Sequence, residues 1–268
     1  MPQNPHQSPS AEGRTGRFDS ADGFALYEGN QDLERRNRAL LDLLPADAHT
    51  WLDVGCGPGV AARALAASGR TVVSLDLSRA ALAGGPPRPV LASSGALPFR
   101  GRCFDGVLCL EVLEHLPPEL FERTIAELAR VARRKLLIGV PHAENLARNL
   151  ILCPRCGATF NRSGHLRSFQ REDLIALFPG FKPEAEWIGG PEVRDYPAWL
   201  LSIRHRVARR FSEMSGWAGN VCPECGLDRF PAFRHNLLSF ALDGLNRLSS
   251  RRRPYWLVVL FSKESIDD

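Results

Sequence analysis

The stretch Trp51–Ala64, WLDVGCGPGVAARA, constrains this chain more than any other. An apolar run ends at Asp53, then Gly55, Gly57 and Gly59 alternate, and apolar residues at helical spacing follow at once. That order spells strand, glycine turn and helix. Glycines leave bare backbone where a ligand must lie, and a helix N-terminus turns free N–H groups toward it. A second apolar run, VVSLDLS, carries Asp76 near its end. It lies about twenty positions beyond the turn, where a carboxylate can accept both hydroxyls of a ribose. These residues point to an adenosine derivative.

The dinucleotide fingerprint is G-x-G-x-x-G, but here Val60 stands where the third glycine belongs. Asp53 would repel a pyrophosphate and tolerate a cation. The loop resembles motif I of the class I S-adenosylmethionine-dependent methyltransferases (type 11/12-like). The resemblance continues through ALPFRGRCFDGVLCLEVLEHL (Ala96–Leu116), KLLIGVP (Lys135–Pro141) and GHLRSFQREDLIALF (Gly164–Phe178). It implies S-adenosyl-L-methionine as cofactor, held by Asp53, Gly55, Cys56, Gly57, Gly59, Asp76, Leu77, Ser93, Ser94 and Glu111. It also implies a Rossmann-like seven-stranded sheet of order 3-2-1-4-5-7-6, its last strand antiparallel between the fifth and sixth. One departure stands at Ser93, where the family commonly has an acidic residue near the adenine; backbone groups around Ser93 and Ser94 are expected there instead.

The alternation of apolar runs independently spells an α/β fold, with a mostly parallel sheet and helices on both faces. Strands are expected near 50–54, 71–76, 89–92, 105–110, 135–140, 184–188 and 255–262, and helices over 33–44, 119–134 and 171–178. Residues 1–22, rich in Pro, Ser, Gln and Gly, read as a disordered tail without a secretory h-region. Residues 23–190 and 254–268 read as the core, with cap insertions at 142–165 and 191–253. A chain of 268 residues suffices for one such core plus insertions. The net charge of +4 is only mildly basic and does not argue for nucleic acid. Arginines in Ile203–Phe211 and Arg251–Arg253 read as a solvated face or as contacts for an anionic partner. No apolar run has membrane-spanning length, so a cytoplasmic protein with reduced thiols is expected. The segment Phe233–Arg253 has three readings: core helix, dimer surface or weak membrane contact. Oligomeric state is open.

CPRCG (Cys153–Gly157) and CPECG (Cys222–Gly226) are two near-identical knuckles. Cys153, Cys156, Cys222 and Cys225 form a tetrahedral thiolate set of the kind zinc takes in closed, structural sites. The 65 residues between the pairs exceed the usual ribbon spacing. Both pairs nevertheless follow strands expected to be parallel, so they emerge at one edge of the sheet, beside the cofactor crevice. A redox dithiol and two unconnected turns are the competing readings.

Methyl transfer is an in-line displacement that depends mainly on alignment. Candidate proton acceptors are Glu111, Glu114, His115, His142 and His165. EVLEH resembles the E-x-x-E-H of ubiquinone-pathway O-methyltransferases and small-RNA 2′-O-methyltransferases. That resemblance implies a divalent site for Mg²⁺ or Mn²⁺ at Glu111, Glu114, His115 and His165, and a hydroxyl acceptor. EVLEH also occurs in metal-free members, where His115 orients its neighbours, and His142 could then be a metal-free base. The leading expectation is O-methylation of a small-molecule substrate. An RNA-modifying methyltransferase and a non-catalytic binding protein of the same fold are the alternatives.

Overall fold

The computed structural model describes residues 29–208, 211–212, 221–231 and 234–263. The expected N-terminal tail lies outside the described residues. Helix α1 (Gln31–Leu43) starts at Asn30, whose side chain accepts from the amides of Asp32 and Leu33 at 3.0 and 3.2 Å, satisfying donors the helix cannot. Strands β1 (Thr50–Val54), β2 (Thr71–Asp76), β3 (Pro89–Leu91), β4 (Phe104–Leu110) and β5 (Ala132–Pro141) follow, joined by α2 (Val60–Ala67), α3 (Arg79–Leu82) and α4 (Pro118–Val131). A short hairpin, β6 (Leu150–Leu152) with β7 (Thr159–Asn161), precedes α5 (Arg171–Leu177) and β8 (Phe181–Arg194). Helices α6 (Ala198–Arg206) and α7 (Leu237–Ser249) lead into β9 (Arg252–Lys263).

The sheet order is β3-β2-β1-β4-β5-β9-β8. Leaving out the separate hairpin, this is the expected 3-2-1-4-5-7-6. Strands β1 to β5 pair in parallel, and β9 runs antiparallel to both β5 and β8. Successive residues face opposite sides, so the strands divide two cores. Leu52, Val107, Ile138 and Val259 pack with Leu120, Leu128 and Leu174 on the side of α4 and α5. Trp51, Leu108, Leu137 and Val258 pack with Leu40, Ala61 and Leu65 on the side of α1 and α2. The FD pair joins two strands: Asp105 accepts from the amides of His49 and Thr50, both at 3.0 Å, and so pins the start of β1 to β4.

Two expected boundaries shift. Helix α4 stops at Val131 instead of 134, because Ala132 is already extended and pairs with Phe104 as the first residue of β5. The sixth strand, expected over 184–188, runs from Phe181 to Arg194. Irregularities at 183–185 and 189–192 let it stay paired with β9 as far as Arg194 opposite Arg252. Between these paired strand ends the chain runs through residues 195–251.

Candidate functional site

The parallel strands end along one edge, and a cleft opens there between the turns after β1, β2 and β4. Asp53, Gly55, Cys56, Gly57, Asp76, Leu77, Ser93, Ser94, Glu111 and His115 all line it. Gly55 and Gly59 adopt left-handed conformations, φ +71° and +81°, which favour glycine. A Cβ on Gly55 would meet the Val112 side chain at 2.3 Å, and one on Gly59 would meet Pro86 at 2.4 Å. The Gly57 amide donates to Asp76 at 2.8 Å, and so does the Ser78 amide. The Ser94 hydroxyl is turned away to Thr124 at 2.8 Å, while Ser93 accepts from the Gly95 amide at 3.3 Å.

The floor is acidic. Burial pushes Asp53 up to about 7 against the pull of Arg36, and Asp76 adds to the rise. Burial lifts Glu111 to about 7 as well, with Arg36 and His165 opposing. One carboxylate oxygen of each, Asp53 Oδ2 and Glu111 Oε1, has no hydrogen-bond partner among the described residues. Glu111 sits at φ +56°, an uncommon conformation for a residue with a side chain. Its amide donates to the Gly139 carbonyl at 2.8 Å, fixing that conformation at the end of β4. Buried carboxylates held this way suit a positively charged ligand, and the open glycine turn suits a nucleoside lying on backbone. The residues therefore fit S-adenosylmethionine.

Behind the cleft the GHLRSF segment is zipped onto the 3-10 turn Leu113–His115. The Leu166 amide donates to the Glu114 carbonyl at 2.8 Å, and Arg167 donates to the Leu113 carbonyl at 2.8 Å. This sets His165 edge-to-face against His115, ring centroids 4.7 Å apart. Glu114, His115 and His165 each offer a ligand atom, and these lie within 4.8 Å of one another; Glu111 is not part of that group. Glu114 is fully buried and held well above the usual carboxylate range, by burial and then by Glu111. His115 Nδ1 faces the Gly164 carbonyl at 3.3 Å, while Nε2 lies 3.9 Å from Glu114. His142 does not line the cleft. It sits at the end of β5, bridged to Phe169, with burial and Arg253 holding it below its ordinary value.

Two residues escaped the sequence reading. Arg36 lines the cleft and lies over the Trp256 ring at 5.1 Å. Its signal was a charge on the buried stripe Leu33, Arg36, Asn37, Leu40 of α1. Glu144, just past β5, is buried and hydrogen-bonded to His165 Nδ1, and it also accepts from Asn149 at 2.7 Å. Burial pushes it up, yet the bond and charge of His165 hold it below its ordinary value. No motif marks it.

The two knuckles meet. The four cysteine sulfurs lie within 4.8 Å of one another, with Cys153–Cys225 at 3.6 Å and Cys156–Cys222 at 3.7 Å. The same turn is built twice: the Cys153 amide donates to Ala158 and the Cys222 amide to Leu227, both at 2.8 Å. Gly157 and Gly226 close them at φ +76° and +68°.

Fold and cleft together form a Rossmann-like architecture with a glycine cradle at the sheet edge, and comparisons with known proteins show what it is similar to. Residues 52–137 match the family model described as "Methyltransferase domain". It is 34% identical over 86 residues to the ubiquinone biosynthesis O-methyltransferase of Paracidovorax citrulli, covering 28% of this chain and 36% of that protein. The chain spans little more than a third of the length of the curated relatives it matches. Magnesium protoporphyrin IX methyltransferase from Synechocystis PCC 6803, solved with SAH bound, superposes with a TM-score of 0.55 at 15% identity, over 92% of this chain and 96% of that one. The 1,6-didemethyltoxoflavin-N1-methyltransferase of Burkholderia thailandensis, solved with 1,6-didemethyltoxoflavin and S-adenosylhomocysteine, gives 0.53 at 18% identity, over 98% and 94%. These structures share the fold. Among the described residues no helix is long and apolar enough to cross a membrane.

Proposed function

We propose that this protein transfers the methyl group of S-adenosylmethionine to a hydroxyl of a small molecule. The observation that carries the reading is the buried pair Asp53 and Glu111, each with an unpartnered oxygen, lining a glycine cradle closed by Asp76 on the Gly57 amide. The cofactor, once bound, supplies an electrophilic methyl on a sulfonium. Asp53 and Glu111 balance its charge, Asp76 takes the ribose hydroxyls, and the cleft excludes water around the line of attack. His115 accepts the hydroxyl proton: with Nδ1 donating to the Gly164 carbonyl, Nε2 keeps its lone pair. Glu114 lies 3.9 Å from that nitrogen. The match to ubiquinone biosynthesis O-methyltransferases supports the hydroxyl acceptor.

The closeness of Glu114, His115 and His165 supports a second reading for the same step. Those three would hold Mg²⁺ or Mn²⁺, which would lower the pKa of the acceptor hydroxyl. The four cysteines suit a structural Zn²⁺: bonds of about 2.3 Å in a tetrahedron put sulfurs about 3.8 Å apart, close to the spacings at the knuckles. In this reading zinc staples the hairpin β6–β7 to the second insertion and leaves no open coordination position. A panel of hydroxylated acceptors incubated with methyl-labelled cofactor, with and without chelator, tests both readings. Label on nitrogen acceptors alone, or on none, defeats the O-methylation reading.

A further inference from the structure

Helix α7 is docked with its polarity reversed. The residues it buries are Ser239, Leu242 and Asn246. At 3.6 residues per turn these share one face, and the opposite face carries Leu237, Phe240, Ala241, Gly244, Leu245 and Leu248. Leu237 is 91% exposed, Phe240 70% and Leu248 87%. An amphipathic cap helix ordinarily buries its apolar stripe. Here hydrogen bonds lock the polar side inward. Asn236 and Ser239 exchange a capping box, Asp243 accepts from Arg204 at 3.0 Å and from the Tyr196 hydroxyl, and Asn236 donates to the Ala208 carbonyl at 2.9 Å. The helix cannot roll its leucines inward without breaking the bonds to Arg204, Tyr196 and Ala208.

Charge of one sign borders the apolar face. Arg234 precedes the helix, Arg247 lies on its flank, and Arg251 follows it, all exposed. The helix's one acid, Asp243, is tied inward to α6. Leu200 of helix α6 and Ala208 just beyond it pack with Leu242 of α7, and Trp199, 58% exposed, and Arg206 stand exposed on α6. We propose that this face is a membrane-docking surface for a bilayer with anionic headgroups. Leu237, Phe240 and Leu248 enter the boundary between headgroups and acyl chains, the arginines meet lipid phosphates, and Trp199 suits the interfacial layer. A second copy fits less well: a two-fold pairing sets the same arginines against one another with no outward acid on α7 to answer them. Asn145, one residue past Glu144, donates to the Tyr196 carbonyl just before α6, at 3.0 Å. The membrane face is thereby joined to the segment carrying Glu144, the partner of His165. If the proposed methyl transfer holds, on which this last step rests, the acceptor is drawn from the bilayer.

Sedimentation of the full chain with vesicles of phosphatidylglycerol and phosphatidylcholine, against phosphatidylcholine alone, tests the proposal. It needs neither cofactor nor turnover, so its failure is distinct from failure of the methyltransferase reading. The protein should pellet with the anionic vesicles, and ~0.5 M salt should weaken this severalfold by screening the arginines. The combined variant Leu237→Glu, Phe240→Glu, Leu248→Glu should bind at least tenfold more weakly, with melting temperature and cofactor binding kept because all three side chains are exposed. Arg247→Ala should cost about fivefold. Wild-type protein left in the supernatant with both vesicle types would overturn the proposal, as would vesicle binding unchanged in the triple variant. A dimer by light scattering that the triple variant converts to monomer would overturn it too, in favour of a self-association face.

Discussion

Asp76, at the end of β2, accepts a hydrogen bond from the Gly57 amide in the turn after β1 at 2.8 Å. One carboxylate oxygen thus ties two strand ends together, and under the proposed reading Asp76 takes the ribose. Asp76→Ala should weaken S-adenosylhomocysteine binding by about one to two orders of magnitude, since a charge-assisted bond contributes roughly 1.5–3 kcal/mol. Equilibrium dialysis with labelled ligand measures the loss.

Gly55 tests the cradle itself. A methyl group there meets Val112 at 2.3 Å in a left-handed backbone. Gly55→Ala should cost about 1–3 kcal/mol of stability and abolish detectable cofactor binding. Thermal melting and dialysis on the same sample separate the two effects; an unchanged variant would mean the turn is not a cradle.

The pH dependence follows from Asp53, raised by burial to about 7. Between roughly pH 4 and 7 the folded protein keeps a proton that the unfolded chain has released. The free protein therefore loses stability through this group as pH rises across that window, and keeps it below. A cationic ligand prefers the carboxylate, so S-adenosylmethionine affinity should climb toward neutral pH and level off above it. S-adenosylhomocysteine, lacking the sulfonium charge, should show a shallower climb, and Asp53→Asn should flatten both. Fluorescence titrations in a pH series read this directly. Equal slopes for both ligands would remove Asp53 from charge recognition.

Cys153→Ser and Cys222→Ser should each abolish a stoichiometric zinc, because neither knuckle alone completes a tetrahedral set. Elemental analysis of purified protein gives the count. Zinc retained in the Cys222 variant would separate the knuckles functionally despite their closeness.

Glu144→Gln should leave His165 without its anionic partner and lower turnover, while cofactor binding stays near the wild-type value. His115→Ala should lower turnover by about 10²–10⁴ if it is the base. Steady-state kinetics with any active acceptor measures both.

The glycine turn, Asp53, Asp76 and the strand order were legible because each is dictated locally. Bare backbone needs glycine, and alternating apolar runs need a parallel sheet. The knuckles were legible as a pair because β5 and β8 end at one edge. Glu144 was not, since nothing in PHAEN marks a residue that the GHLRSF segment meets only after folding. Arg36 was half legible, as a charge on an otherwise apolar stripe. His142, suggested as a base by its place after β5, is bridged to Phe169 and is not among the residues lining the cleft. The boundary at Val131 was missed because AELARVARRKLL keeps a helical rhythm beyond the point where pairing with Phe104 takes over.

The central claim is that two buried acids and a side-chain-free turn hold a positively charged nucleoside. Calorimetric titration of S-adenosylmethionine into the purified chain at neutral pH tests it most directly. The account predicts one saturable site per chain, weakened strongly in Asp53→Ala. Heats that never saturate, or a wild-type affinity matched by Asp53→Ala, would contradict it.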